Sequence, residues 1–172
     1  VRIFSFVLKG QQSDVNKMVK VLTRIKTPEE ILDQTTPQGK FIYHYYDKIN
    51  QNYETLLQMA KNKASRSSIL LFYYQEDKWS FTSDLANELT TLYPKKLIII
   101  SRKSSGELKC SLRAKFDISA PLEKALVGIN GYGGGHKYAC GAVIKEEDWD
   151  RFLDNLKAEL KEHLKKSLEL MS

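Results

Sequence analysis

The chain has 172 residues, of which 42% are hydrophobic and 28% charged, values ordinary for a globular fold with one good core. Its 27 lysines and arginines against 21 aspartates and glutamates give +6 at pH 7, an excess that suits a polyanionic partner or plain solubility. Cys110 and Cys140, the only two cysteines, exclude a disulfide scaffold and have no zinc spacing. No apolar run approaches the ~18 residues of a membrane span. With no signal peptide visible, the expected setting is cytoplasmic, with both thiols reduced and no membrane partner.

Val1 to Leu8 is apolar and β-prone and ends at Gly10, so a buried opening strand is expected. Such an interior-like start, at valine and not methionine, suggests a piece of a longer protein. Ser13 is expected to cap a helix whose face is Val15, Met18, Val19, Leu22 and Ile25. Thr27-Pro28-Glu29-Glu30 reads as a restart, with Thr27 as N-cap, Pro28 at the first helical position and Glu30 as reciprocal partner. After a break at Pro37, the residues Phe41, Tyr45, Ile49, Tyr53, Leu56 and Ala60 mark the apolar face of another helix. That helix also carries Tyr43, His44, Tyr45 and Tyr46. Such a run either stacks single-stranded bases or, more often, packs a helix onto its neighbours. His44 has only Asp47 near a metal-binding spacing and reads as a surface residue.

Polar, basic residues from Asn62 to Ser68 place a boundary there, dividing a strand and helical connector (1–66) from an α/β domain (67–172). Ile69 to Tyr74 is expected as a buried strand. Ser83 then caps a helix with Leu85, Ala86, Leu89 and Leu92, ended by Pro94. Leu97 to Ile100 is a second strand, and Ser104-Ser105-Gly106 turns it into a third, Glu107 to Arg113. Leu108, Cys110 and Leu112 give that third strand one apolar face, so Ser111 and Arg113 point the other way. Pro121 opens a helix with Leu122, Ala125, Leu126 and Ile129 on one side; a strand follows over Ala142 to Ile144. A last helix from about Glu147 carries the stripe Trp149, Phe152, Leu153, Leu156 and Leu160, with acids in its first turn as the macrodipole prefers. Strands interleaved with helices predict an α/β fold, a mixed sheet flanked by helices and preceded by the helical connector.

Four of the nine glycines fall between Gly131 and Gly135, and His136 and Lys137 follow at once. Consecutive glycines let a backbone reach positive φ and press against a ligand, and turn amides of this kind can hold an anion. Neither the P-loop nor the Rossmann spacing is present, so from the residues alone the stretch reads equally as a tight connection or a phosphate site. An expected glycine turn beyond the Pro121 helix would bring Arg113, His136 and Lys137 to one anion, with the arginine's planar fork holding two oxygens.

Gly133-Gly134-Gly135-His136-Lys137-Tyr138-Ala139-Cys140-Gly141 resembles the GGGHxxAAG signature of the DHHA1 domain, with Cys140 where alanine is usual. Upstream, Ser111-Leu112-Arg113 is similar to the same family's "SLR" strand end, in matching order and separation. DHHA1 is the substrate-binding half of DHH phosphoesterases: RecJ-type exonucleases, nanoRNases and cyclic-dinucleotide phosphodiesterases. The resemblance implies that Ser111, Arg113, Gly133, Gly134, Gly135, His136 and Lys137 bind substrate. It implies no catalytic residue and no metal ligand in this chain. Mn2+ or Mg2+ would belong to a DHH domain not included here, so this piece should not hydrolyse anything alone. The implied partner is single-stranded nucleic acid or an oligonucleotide, and the wording of the motif is similar to archaeal RecJ-like exonucleases. Two alternatives stay open. One is a non-catalytic scaffold docking a replication complex such as GINS; the other is an oligonucleotide or small-nucleotide phosphodiesterase. Alanyl-tRNA synthetases carry a related domain.

Overall fold

A computed structural model of the chain describes residues 2–75 and 78–169, which divide into two compact units. The first holds residues 2–59 with 78–81, and the second residues 60–75 with 82–169.

Unit 1 is helical from its start. Arg2–Val7 is a helix, α1, where a strand was expected; Val1 lies outside the described residues. A short apolar run reads as strand or helix by composition alone. Here Ile3, Phe6 and Val7 sit one helical turn apart, and Phe6 and Val7 are buried. Helix α2 (Gln12–Leu22) has Gln11 at its N-cap with no side-chain bond, so Ser13 lies inside the first turn and does not cap it. Met18 is buried on its inner face and Val19 is exposed. Helix α3 (Glu29–Leu32) begins a residue later than expected, and the Thr27 hydroxyl makes no cap. The other half of the device is present, because the Glu30 carboxylate accepts from the Lys26 and Thr27 amides at 2.8 and 3.2 Å.

Pro37 is the first residue of α4 (Pro37–Lys61). Ile49, Tyr53 and Ala60 are buried as expected, joined by Ile42 and Leu57, while Phe41 is exposed and Tyr45 and Leu56 are half-buried. Tyr43, Tyr45 and Tyr46 pack against the cluster of Val7, Met18, Ile31 and Ile42, and His44 is exposed. The tyrosine run therefore serves packing. Phe81 closes the unit, with its ring 5.5 Å from both Phe6 and Tyr53.

Unit 2 is a five-stranded sheet in the order β1-β2-β3-β5-β4, from β1 (Ile69–Gln75), β2 (Leu97–Ser104), β3 (Glu107–Arg113), β4 (Gly131–His136) and β5 (Ala139–Lys145). β1 and β2 run parallel, joined through α5 (Thr82–Leu92), and all other pairs are antiparallel. Ser83 lies within α5 and does not cap it; its hydroxyl meets that of Ser111 at 3.1 Å. The β2–β3 hairpin turns through Ser105 and Gly106 at φ 51° and 75°, the left-handed pair that matches the twist of the flanking strands.

Helix α5 covers one face of the sheet, where Leu85, Ala86 and Leu89 are wholly buried with Ile98 and Ile100. The opposite face carries α6 (Ser119–Ala125) and α7 (Trp149–Glu169) over Leu97, Ile99, Leu108, Cys110, Leu112, Cys140, Ala142 and Ile144. Each fully buried leucine or isoleucine here is worth about 1.5–3 kcal/mol. The expected stripe of α7 is buried in full, though a 3-10 turn over Glu146–Asp148 takes the place of the helix start expected at Glu147. Helix α6 opens at Ser119, ahead of Pro121, because Asp117 Oδ1 accepts from the Ser119 amide at 2.9 Å and from its hydroxyl at 2.6 Å. Pro121 is tolerated in the first turn, where no amide donor is needed.

The largest difference from expectation is the glycine stretch. Gly131–His136 is not a turn but the edge strand β4, exposed along its whole length, and only Gly135 among its glycines has positive φ. Its partner β5 runs from Ala139, three residues earlier than the strand expected over Ala142 to Ile144.

Candidate functional site

The face of β3, β5 and β4 on the α5 side forms a grid of cross-strand rows. Arg113 pairs with Ala139, which pairs with His136; Ser111 pairs with Gly141, which pairs with Gly134. Directly paired residues point to one side of a sheet, so Arg113, Ser111, Gly134 and His136 share that side. The spacing of strands puts the Cα atoms of Arg113 and His136 about 10 Å apart, with only Ala139 between them. α5 packs on β2 and β3; Gly141 and Gly134 farther along this face are exposed. The result is a bare floor with a guanidinium on one side and an imidazole on the other.

The glycines divide by role. A Cβ on Gly133 would meet Gly141 O at 2.7 Å and Ala142 Cβ at 2.9 Å, and one on Gly135 would meet Ala139 O at 2.4 Å. Those two are glycines because β4 presses against β5. A Cβ on Gly134 would meet nothing within 4 Å, and one on Gly141 only Cys110 O at 3.6 Å. Packing inside the fold gives no reason for glycine at 134, and the empty space lies on the face of Arg113 and His136.

Arg113 is fixed in place. Its Nε donates to Asn87 Oδ1 at 2.9 Å, and Nη1 donates to Leu112 O at 2.9 Å and Cys140 O at 3.0 Å. Burial pulls its pKa below the usual arginine value, and the Cys140 thiol opposes that shift. Guanidinium keeps its proton regardless. Nη2 has no partner among the described residues, so two N–H donors on an immobilised fork remain for an acceptor. Tying β3 to β5 and α5 is a structural role that these bonds already fill; the free Nη2 is what exceeds it.

Lys137 lies apart from this row. It occupies the β4–β5 turn with Tyr138, and that turn is held by bonds from Ile118 N–H to Lys137 O at 2.8 Å and from Ala114 N–H to Tyr138 O at 3.2 Å. The carboxyl of Asp117 is held below the usual aspartate range, first by the Ser119 hydroxyl and more weakly by Lys137. Tyr138, Arg113, Asn87 and Lys115 line an open hollow of about 480 Å³ beside the glycine floor. Sequence reasoning missed Asn87 and Tyr138. Nothing at the position of Asn87 in α5 marks it as the brace of an arginine 26 residues away. Tyr138 was available as an exposed aromatic inside the signature itself.

Both cysteines are free and buried. Burial pushes the Cys110 thiol up to about 12, so it is no nucleophile. Among the described residues no three His, Cys, Asp or Glu side chains gather to hold a metal ion. The Arg113–His136 row therefore does not fit a metal site. No described helix is long and apolar enough to cross a membrane.

The family model described as the DHHA1 domain matches residues 78–162. Two structures of RecJ from Thermus thermophilus are similar in fold. One, in complex with Mg2+, is 17% identical with a TM-score of 0.59, covering 85% of this chain and 22% of RecJ. The other, in complex with Mn2+, is 18% identical with a TM-score of 0.54, covering 70% and 19%. A pGpG-specific phosphodiesterase, PggH from Vibrio cholerae, is 18% identical with a TM-score of 0.58, covering 92% of this chain and 57% of PggH. The chain thus spans about a fifth of the RecJ structures and little over half of PggH. No curated protein matches it in sequence.

Proposed function

Since residues 78–162 place this chain in the DHHA1 family, we propose that it holds the phosphate-bearing end of a single-stranded nucleic acid on the open face of β3, β5 and β4. The observation that carries this reading is the empty floor at Gly134 and Gly141, bounded by the free Nη2 of Arg113 and by His136. The expected two-oxygen fork is not open, because Nε and Nη1 are bonded to Asn87, Leu112 and Cys140; the N–H groups of Nη2 diverge from one nitrogen and suit a single charge-assisted bond to a phosphate oxygen. Glycine at the centre lets the sugar–phosphate backbone approach the sheet, and His136 supplies a second donor across it. Ser111 is buried, with its hydroxyl bonded to that of Ser83, so it braces α5 against β3 beside the floor, and Lys137 adds charge near the turn. The arrangement binds and orients, and among the described residues no group of metal-ligating side chains accompanies it. Hydrolysis would fall to a metal-bearing DHH domain elsewhere in the parent protein, in keeping with the Mg2+ and Mn2+ named for the RecJ structures.

A second reading keeps the site and shortens the ligand to a dinucleotide. The breadth of the likeness to PggH, across nearly the whole chain, supports it. The two separate in one titration, in which the full chain is added to labelled single strands from two to twenty nucleotides, with and without a terminal phosphate. A strand-holding site gives affinity that rises with length and falls with salt. A dinucleotide site saturates at the shortest ligand. In either case Arg113→Ala costs about 10-fold or more, the worth of a charge-assisted bond. Unchanged affinity in both Arg113→Ala and His136→Ala would end the proposal.

A further inference from the structure

The sheet has five strands, and the face opposite α5 is layered by two helices, α6 on the side of β4 and α7 beside it. That leaves the other edge short of cover. On β1, Leu70, Phe72 and Tyr74 are buried on one face. The alternate residues Ile69 and Leu71 are only partly buried, and Tyr73 is 64% exposed. Between them and Leu153, Leu156 and Leu160 of α7 runs a trough of about 670 Å³, floored by Ile69, Leu71 and Ile99. A second hollow of about 580 Å³ shares Leu71 and Leu153 with it and continues to Tyr73 and Trp149.

We infer that this trough docks an apolar segment of a partner protein that carries acidic residues beside its apolar ones. At the lysine end the floor is aliphatic and matches apolar side chains; the aromatics Tyr73 and Trp149 stand in the continuing hollow beside Glu146 and Asp150, whose charge opposes a nucleic acid's phosphates there. The rim sets the charge. Lys157, Lys161 and Lys165 line the same end, one helical turn apart, and no acidic residue lines that part of the trough. Lys157 is held by Asp154 at 3.1 Å, and Lys161 has no ion pair among the described residues. A second copy of this chain is the wrong occupant, because it would bring one lysine row against another on a chain already at +6. An acidic partner gains from the same charges, and long-range attraction would speed its arrival.

The test is selection from a random peptide library displayed on phage, with the full chain as bait, followed by titration of synthetic versions of the enriched peptides. Enriched peptides should combine leucine-type residues with aspartate or glutamate. Their affinity should fall about 10-fold or more in Tyr73→Asp and in the double variant Lys157→Glu/Lys161→Glu, and stay unchanged in Arg113→Ala. All three altered surface positions are exposed, and matched thermal melts would confirm folding. The inference is overturned by no enrichment, by enriched peptides without acids, or by affinities indifferent to those variants. It is equally overturned by a dimer in sedimentation that Tyr73→Asp abolishes, or by single-stranded DNA that loses affinity in the lysine variant and displaces the peptide.

Discussion

β2 and β4 belong to one sheet, with two strands between them, and opposite forces hold them. In β2 the run Leu97 to Ser101 is buried, and the two faces of Ile98, Ile99 and Ile100 feed the layers on either side. In β4 every residue is exposed, and four of six are glycine, which loses more conformational freedom on folding than any other residue. Burial contributes most of what keeps β2 in place. β4 has only its ladder to β5 and the close approach that Gly131, Gly133 and Gly135 permit. A strand that adds so little to stability makes sense through what its bare face admits, and the comparison can be broken or sharpened residue by residue.

The largest expected effect is in β2. Ile99→Ala should cost about 2–5 kcal/mol in a urea melt, the range for emptying a buried isoleucine site. Gly133→Ala comes next, at about 1–3 kcal/mol, because its Cβ would be forced against Gly141 O and Ala142 Cβ. Gly134→Ala, one residue on, should leave stability within ~0.5 kcal/mol of the parent. Equal losses at 133 and 134 would erase the division of glycine roles. Amide exchange sharpens the same contrast without mutation. Central β2 amides should exchange only on global opening, and β4 amides well before them.

Much of this contrast was legible in the sequence, and where it was not, the reason is physical. β1, β2 and β3 announce themselves by β-branched, alternating or continuous apolar residues, and α7 by a stripe that is buried in full. The opening residues misled because an apolar run of that length has no unambiguous period, and helix α1 won through the spacing of Ile3, Phe6 and Val7. β4 was illegible as a strand because glycine carries neither β-propensity nor a burial pattern. Its strand character comes from register with β5, which is not written locally. The DHHA1 signature was readable from its letters. That Arg113 and His136 stand in one row through Ala139, and that Asn87 braces the arginine, needed the sheet.

A further effect is confined to alkaline pH. Burial pushes the Cys110 thiol from 9.0 to about 12, so between those values the folded chain keeps a proton that the unfolded chain releases. Stability from this group is whole below pH 9 and declines as pH rises towards 12; Cys110→Ser should flatten that part of the profile. Iodoacetamide at about pH 8, below the ordinary thiol pKa, should leave Cys110 unmodified in the native chain and alkylate it in urea. Ready native labelling would contradict the buried setting on which β3 depends.

The claim that the open face of β3, β5 and β4 receives the ligand meets its most direct test in Gly134→Leu. Its side chain would enter space where even a Cβ meets nothing within 4 Å, so the fold has no cause to reject it. Anisotropy titration of a labelled, phosphorylated single strand with the full chain should then show affinity lowered about 10-fold or more, with the urea midpoint unchanged. Parental affinity in a correctly folded Gly134→Leu chain would mean that the ligand lies elsewhere.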